Sequence, residues 1–166
     1  MSASIDKADF ASATNSHHRL SRYGPLVFWA ALIFLASTSL MSSTNTSAIL
    51  RPPLLWLFPH ISEASLALIN LLIRKGAHFT EYAILALLAA RACKTSSQEL
   101  LRSHWFWASL LLVTGYSLSD EFHQSFYPSR TASIYDCMID TFGGLTALVL
   151  LALRKISASP PSRPGF

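Results

Sequence analysis

The stretch GPLVFWAALIFLASTSLM, from Gly24 to Met41, contains no charged side chain. A helix needs about 20 predominantly apolar residues to cross the hydrocarbon core of a bilayer, so this stretch predicts a membrane-spanning helix. A cleaved signal peptide is the alternative, because small residues follow the apolar run. The run is nevertheless longer than the usual apolar region of a signal peptide, and a long polar leader precedes it. An uncleaved first helix is therefore the preferred interpretation.

The composition of the whole chain also points to lipid. Of its 166 residues, 51% are hydrophobic and 13% are charged, whereas an ordinary soluble domain has roughly 25% charged residues. The length allows one domain with about four membrane crossings. The formal net charge is +4, but the basic residues are scattered through short segments and are not interleaved with aromatic residues. This distribution argues against nucleic acid as a partner.

Four segments are predicted to span the membrane, and together they predict an all-α integral membrane bundle. Polar, Ser-rich residues 1–22 predict a disordered tail, and Pro-rich residues 156–166 predict a second tail. The domain between the tails, residues 23–155, is expected to contain the whole membrane portion. The predicted spanning helices are residues 24–42, 76–92, 104–120 and 133–153.

A shorter apolar segment lies between the first two predicted spanning helices. Ser62 is predicted to cap a helix with the sequence SEASLALINLLIRK, whose apolar run of about ten residues is too short to cross a membrane. An interfacial or re-entrant helix is expected here. Continuing it into the next segment would place Arg74 and Lys75 in the middle of the bilayer, which is costly. A break is therefore predicted near Arg74 to Gly76.

The distribution of Lys and Arg around the predicted helices sets the orientation of the chain. Seven of these residues lie on the side of both termini, and four lie on the other side. The excess of positive charge places both termini in the cytoplasm. The seven are Arg19, Arg22, Arg91, Lys94, Arg102, Arg154 and Lys155, and the four are Arg51, Arg74, Lys75 and Arg130.

Polar side chains converge at the predicted outer ends of the last three spanning helices. Lys75, His78 and Glu81 are spaced i, i+3 and i+6 and share one helix face, with Arg74 pointing away. Asp136 and Asp140 are i, i+4 neighbours on the last helix. Small residues follow them on the same face, which predicts close packing against other helices.

The third spanning helix contributes Tyr116, Asp120 and either His123 or Gln124 along one side. An acidic side chain near the centre of a spanning helix costs about 2.5 to 3.5 kcal/mol, so the acids need partners. The available donors are Lys75, His78, His123 and Arg130. The predicted polar cluster consists of Lys75, His78, Glu81, Asp120, Glu121, His123, Gln124, Arg130, Asp136 and Asp140.

Two segments resemble the VanZ-like family of small bacterial membrane proteins: KGAHFTEY, residues 75–82, and DEFHQSFYPSRTASIYDCMIDTFGG, residues 120–144. The resemblance covers residues 27–153. It implies a location in the bacterial inner membrane, and the founding member of the family is associated with resistance to the glycopeptide teicoplanin. Recurring family features correspond to Lys75, His78, Glu81, Tyr82, Glu121, Gln124, Arg130, Asp136 and Gly143.

This chain departs from the family pattern at two places. It has Pro128, Ser129 and Arg130 where the family often has Pro-Gly-Arg before the last helix. It also has Asp140 where the family often has Asn. The first departure changes the residues of a turn, and the second adds a titratable group to the cluster.

The resemblance and the cluster together favour binding of an extracytoplasmic ligand, such as a lipid-linked cell-wall precursor, another anionic envelope ligand or a membrane lipid. Lys75 and Arg130 would hold its anionic group, Arg130 through a bidentate contact. One alternative is a membrane-embedded hydrolase or transferase with His78 or His123 as general base, although no motif for an activated nucleophile is present. Another alternative is a non-catalytic network that fixes the register of the helices.

Other residues carry less specific signals. Cys93 and Cys137 form no CxxC pair and have no metal-ligand spacing, and no cofactor is predicted. Metal binding by the His and acidic residues is a further alternative, but His78-x-x-Glu81 is not the HExxH pattern of zinc enzymes. The aromatic residues interpreted as interface anchors are Tyr82, Trp105, Trp107 and Tyr127.

Overall fold

The computed structural model describes residues 3–38, 43–127 and 133–157, with side chains for 19–38, 45–127 and 133–154. Within these ranges the chain is all-helical, as predicted, with six α-helices and no strand. The helices are α1 (Ala3–Ala36), α2 (Ser43–Leu57), α3 (Glu63–Lys94), α4 (Glu99–Ser103), α5 (Trp105–Gln124) and α6 (Ile134–Ser157).

The central element of the fold is α3, which packs against α1, α5 and α6. Ser62 caps its N-terminus, because the Ser62 hydroxyl accepts a hydrogen bond from the Ser65 backbone N–H at 3.1 Å. Ala86, Ala89 and Ala90 on α3 are completely buried, and such small residues let helix backbones approach each other closely. The hydrophobic core therefore forms around this helix.

Two glycines bring α6 against its neighbours. A Cβ atom added at Gly143 would lie 2.3 Å from the backbone oxygen of Phe79 on α3. One added at Gly144 would lie 2.7 Å from Cγ1 of Val113 on α5. Glycine is needed at both positions because any larger side chain would occupy space that the neighbouring helices already fill. This packing draws the polar faces of three helices together.

The predicted break near Arg74 to Gly76 is wrong, because α3 continues without interruption from Glu63 to Lys94. The prediction rested on the cost of placing Arg74 and Lys75 in the middle of the bilayer, but the Lys75 ammonium group is paired with Asp136 on α6, and pairing offsets part of the cost of burial. A single Gly at position 76 does not end a helix that its neighbours hold in place. The helix is 32 residues long, which corresponds to about 48 Å.

The short helix between the first two predicted spans lies at a different place from the one expected. It is α2, Ser43–Leu57, and it includes Pro52 and Pro53. Prolines usually break helices because they lack an N–H donor, which explains why the pattern did not predict α2. An ion pair with N–O distances of 2.9 and 2.5 Å joins Arg51 on α2 to Glu63 at the start of α3.

Two segments expected to be irregular contain helices. α1 begins at Ala3, inside the segment 1–22 that was predicted as a disordered tail. This segment has no Gly or Pro before Gly24, so helix propensity does not oppose a helix there. Residues 93–103, which lie between two predicted spanning helices, contain α4. Residues 158–166 of the predicted Pro-rich tail lie outside the described residues.

One described segment is long and apolar enough to cross a membrane, the 21 residues Ile134–Arg154 of α6. Only 33% of its apolar window is buried, so most of this helix is not covered by protein. The other predicted spans do not meet the same criterion in the described part of the chain. Charged residues within α3 and at the end of α5 lower their average hydropathy. The four-span arrangement is therefore not established by the fold alone.

Candidate functional site

Three side chains on one face of α3 contact three acids on α5 and α6. Lys75 donates a hydrogen bond to Asp136, and His78 Nδ1 lies 3.1 Å from Asp140 Oδ1. Tyr82 donates its hydroxyl to an oxygen of Asp120 at 3.1 Å. Positions 75, 78 and 82 share a helix face because they are separated by three and four residues. These contacts tie α3 to both α5 and α6.

Further polar groups donate hydrogen bonds to the acids. Asp140 also accepts a hydrogen bond from the Ser117 hydroxyl at 2.9 Å, and Asp120 accepts one from Gln124 at 3.2 Å. Glu121 accepts a hydrogen bond from the backbone N–H of Ser133 at 2.7 Å. We call these residues the buried polar cluster: Lys75, His78, Tyr82, Ser117, Asp120, Glu121, Gln124, Asp136 and Asp140.

The structure brings together most of the residues singled out in the sequence. Of the two candidates on α5, Gln124 faces the cluster and is 2% exposed. His123 instead stacks on the Phe34 ring of α1, with ring centroids 4.0 Å apart. Glu81 lies with His78 beside a cavity between α1, α2 and α3, and its backbone oxygen accepts a hydrogen bond from the Trp29 indole at 2.9 Å. Arg130 lies outside the described residues.

Two members of the buried polar cluster were not predicted. The interpretation of Tyr82 as an interface anchor is wrong, since its side chain is fully buried and its hydroxyl binds Asp120. The spacing of Tyr82 from His78, i and i+4, was the available signal. Ser117 precedes Asp120 by one helical turn and could have been found in the same way.

The electrostatic balance of the buried polar cluster is acidic, because four carboxyl groups face the two basic side chains of Lys75 and His78. Glu121 lies just beyond the predicted span 104–120, and burial raises the pKa of its carboxyl group. Protonation of Glu121 would reduce the excess of negative charge. Among the residues described, Asp120 Oδ1 and Glu121 Oε1 are buried acceptor atoms with no hydrogen-bond partner.

The arrangement around Asp140 does not activate a serine nucleophile. In a Ser-His-Asp triad the histidine stands between the serine and the acid and takes the hydroxyl proton. Here Asp140 stands between Ser117 and His78, so the histidine is not the serine's partner. The described residues also include no group of three or more His, Cys, Asp or Glu arranged to hold a metal ion.

Comparison with known proteins gives the family. Residues 23–155 match the sequence model of the family described as VanZ/LLP1. The chain belongs to the VanZ-like family. No curated protein and no solved structure gives a significant match. The matched range includes α5 and every described residue of the buried polar cluster.

Membership of the VanZ-like family and the apolar helix α6 together indicate a membrane protein. Asp140, which the resemblance had marked as a departure from the family pattern, now has a structural setting. This carboxyl group is fully buried and receives contacts from both His78 and Ser117. The other departure, at residues 128–130, lies outside the described residues.

Proposed function

We propose that this VanZ-like protein is a multi-pass protein of the bacterial inner membrane that binds an anionic or lipid-linked envelope ligand at its buried polar cluster. The proposal is supported by the open end of this cluster, where the Lys75–Asp136 ion pair is partly exposed. The side chain of Lys75 is 32% exposed and that of Asp136 is 10% exposed, whereas that of Asp140 is 0% exposed. A ligand can therefore reach the ion pair while the inner end of the cluster stays shielded.

The chemistry of the cluster suits a ligand that carries both an anionic group and hydroxyl donors. An anion that contacts Lys75 would replace Asp136 as the partner of the Lys75 ammonium group. The buried acceptors on Asp120 and Glu121 could receive hydrogen bonds from hydroxyl groups, which reduces the cost of leaving them unpaired. A lipid-linked cell-wall precursor has phosphate and sugar hydroxyl groups of this kind. Arg130 is proposed as a second contact for the anion.

The burial of ionisable groups within helices of a membrane protein favours a functional role. Such groups are rare in spanning helices and usually mark binding sites or ion pathways. A network with the sole task of fixing helix register would need no open end, because its polar groups could all be shielded. The partial exposure of Lys75 therefore supports ligand binding over the purely structural alternative.

The proposed topology has four spans, at about 24–42, 76–92, 104–120 and 133–153, with both termini in the cytoplasm. From Lys75 to Lys94 the helix α3 extends over about 30 Å, the thickness of a hydrocarbon core. Lys94 lies 3.7 Å above the centre of the Trp105 ring, and a tryptophan near a Lys is typical of a membrane interface. The cluster would then lie at the extracytoplasmic face.

Labelling of single cysteines in intact cells tests this topology. We expect a membrane-impermeant thiol reagent to label Ser125→Cys, at an exposed position after α5, in a background without Cys93 and Cys137. Ser97→Cys, which is also at an exposed position, is the matched control and should be labelled only after the cells are opened. The reverse pattern would place the cluster in the cytoplasm and remove the envelope ligand from the proposal.

A binding measurement tests the ligand class. We expect the purified protein in nanodiscs to bind a lipid-linked cell-wall precursor, and the double substitution Lys75→Gln with Asp136→Asn to weaken this binding at least tenfold. The double variant keeps two hydrogen-bonding amide side chains in place of the ion pair, so the helices retain a polar contact. Arg102→Gln, near the opposite end of α3, is the control and should leave binding unchanged.

The same measurement separates binding from a structural role. If the double variant lowers the melting temperature but binds the precursor with unchanged affinity, the cluster serves helix packing and the proposal is wrong. If it loses affinity at an unchanged melting temperature, the cluster contacts the ligand. Hydrolysis of the precursor that depends on His78 would instead establish the alternative of a membrane-embedded enzyme.

An effect on glycopeptide susceptibility is the physiological part of the proposal. Teicoplanin acts on cell-wall precursors, so a protein that binds such a precursor could alter the response of the cell to it. We expect deletion of the gene to change the inhibitory concentration of teicoplanin at least twofold. Complementation with the native chain should restore it, and complementation with the Lys75→Gln, Asp136→Asn variant should not.

A further inference from the structure

Three arginines lie close together where α1 contacts the last turns of α3, away from the buried polar cluster. The Arg91 guanidinium group on α3 donates a hydrogen bond to the backbone oxygen of Ser21 on α1, at 3.1 Å. Arg22 is the next residue of α1 and is half-buried, and Arg19 precedes it by three residues. The contact between α1 and α3 therefore brings three positive charges into one region.

The side of α1 that carries Arg22 is the side that packs against the bundle. Leu26, Trp29 and Ile33 follow Arg22 by four, seven and eleven residues, so these side chains lie along one face of the helix. Ile33 belongs to the hydrophobic core, and Leu26 and Trp29 pack against it. Arg19 shares this face because it lies three residues before Arg22. Both arginines are therefore on the side of α1 that faces α3.

The three arginines have no acidic partner among the residues that the structure describes. Arg91 contacts the neutral backbone oxygen of Ser21, and the Arg22 guanidinium carbon lies 5.8 Å from the centre of the neutral Tyr23 ring. Neither contact compensates a positive charge. Like charges on neighbouring positions of a helix destabilise it, so an anion held by these groups would relieve their repulsion.

The acids closest in sequence do not supply the missing negative charge. Glu99, eight residues after Arg91, is paired with Arg102. Asp9 precedes Arg19 by ten residues, which corresponds to about 15 Å along α1. A guanidinium group offers five N–H donors in a planar arrangement that fits phosphate oxygens. The region is therefore suited to a phosphate from outside the chain.

The proposed topology places these arginines at the level of lipid phosphates. Arg22 comes two residues before the proposed span 24–42, and Arg91 is one residue from the end of the proposed span 76–92. Anionic lipids of the cytoplasmic leaflet attract Lys and Arg residues next to spanning helices. Leu20 is 70% exposed and Leu87, one turn before Arg91, is 42% exposed, so apolar side chains are available for acyl chains.

We infer that Arg19, Arg22 and Arg91 bind the phosphate of an anionic phospholipid of the phosphatidylglycerol type. A headgroup without an ammonium group fits this region better than phosphatidylethanolamine, because the acids closest in sequence are either paired or distant. The inference goes beyond the proposed function and rests on it only for the level of the arginines in the membrane.

The test measures binding of phosphatidylglycerol, phosphatidylethanolamine, phosphatidylcholine and inorganic phosphate to the full chain in detergent. We expect phosphatidylglycerol to bind at least tenfold more tightly than the other two phospholipids. Arg91→Gln should weaken the binding of phosphatidylglycerol at least tenfold and leave that of phosphatidylcholine unchanged. Arg91→Lys keeps the positive charge and should restore part of the affinity.

Arg154→Gln is the matched control. It removes the same charge from the same side of the proposed membrane, but it lies on α6 and leaves the three arginines in place. We expect it to change the affinity for phosphatidylglycerol less than twofold. A loss equal to that of Arg91→Gln would show a general attraction between basic residues and anionic lipid, and the inference of a defined site would be wrong.

Arg22→Gln is a second test, because Arg91 also holds α1 through Ser21 and its loss could affect folding. This variant keeps that hydrogen bond and should also weaken the binding of phosphatidylglycerol. Unchanged affinity in both Arg22→Gln and Arg91→Gln would overturn the inference, and so would equal affinity of the native chain for all three phospholipids. Binding of inorganic phosphate without binding of phosphatidylglycerol would identify a free anion as the ligand and also overturn it.

The outcome is distinguishable from that of the proposed function. The Lys75→Gln, Asp136→Asn variant changes the buried polar cluster and leaves the three arginines in place, so it should still prefer phosphatidylglycerol. Arg91→Gln should conversely retain binding of the lipid-linked cell-wall precursor. If the variant of the cluster lost the preference for phosphatidylglycerol, the lipid site would not be separate, and the inference would be wrong.

Discussion

Replacement of Asp140 by Ala is expected to lower the free energy of unfolding by about 3 to 5 kcal/mol, the range found when one partner of a buried ion pair is removed. Asp140 is 0% exposed and contacts both His78 Nδ1 and the Ser117 hydroxyl. Its loss leaves the polar groups of these two residues without an acceptor in the interior. Each unsatisfied group costs about 1 to 3 kcal/mol. Two such groups together account for the expected loss of about 3 to 5 kcal/mol.

The measurement is reversible unfolding in mixed micelles, monitored by circular dichroism. Asp140→Asn is the matched control, because Asn has the same shape and keeps one carbonyl acceptor. We expect it to cost about 1 to 2 kcal/mol, since one of the two contacts survives. Equal losses in the Ala and Asn variants would show that the carboxyl group itself is needed.

Gly143→Ala is expected to be the second severe substitution. The added Cβ would lie 2.3 Å from the backbone oxygen of Phe79 and 3.0 Å from its carbonyl carbon. These are backbone atoms of α3, so a change of side-chain rotamer cannot relieve the clash. The helices would have to separate, which costs about 1 to 3 kcal/mol or more. Separation would also pull α6 away from Lys75 and His78, so the loss should extend to the buried polar cluster.

Gly115→Ala provides the control for this prediction. It is also a helical glycine, but a Cβ atom added there meets nothing within 4 Å. Replacement of a helical glycine by alanine stabilises the helix by about 1 kcal/mol where space allows. The two substitutions should therefore change the melting temperature in opposite directions. A stable Gly143→Ala protein would mean that α3 and α6 lie farther apart than the structure places them.

The helical class and the meeting of the acids with Lys75 and His78 could be predicted from the sequence. Apolar runs reveal helices, and acids in such runs need partners, so Asp136 and Asp140 pointed toward the donors on α3. The choice between His123 and Gln124 could not be made in this way. Successive residues differ by about 100° around a helix axis, and the packing of α1, with Phe34 stacked on His123, decides which of them faces inward.

The continuity of α3 and the existence of α2 could not be predicted from the sequence for a different reason. Rules about single residues disfavour a helix through Lys75 and Gly76 or through Pro52 and Pro53. Contacts between distant residues overrule them, namely the pairing of Lys75 with Asp136 and the packing of α2 on α3. Rules about single residues take no account of such contacts between helices.

Because α3 is uninterrupted, a movement at one of its ends also displaces the other end. Its first residue, Glu63, is joined to Arg51 of α2, and near its last turn the Lys94 ammonium lies over Trp105. Over about 48 Å, a rotation of about 5° around one end displaces the other end by about 4 Å. Because α3 is continuous from Glu63 to Lys94, we expect a movement of α2 that tilts the start of this helix to displace Lys75 and His78 relative to α6 as well.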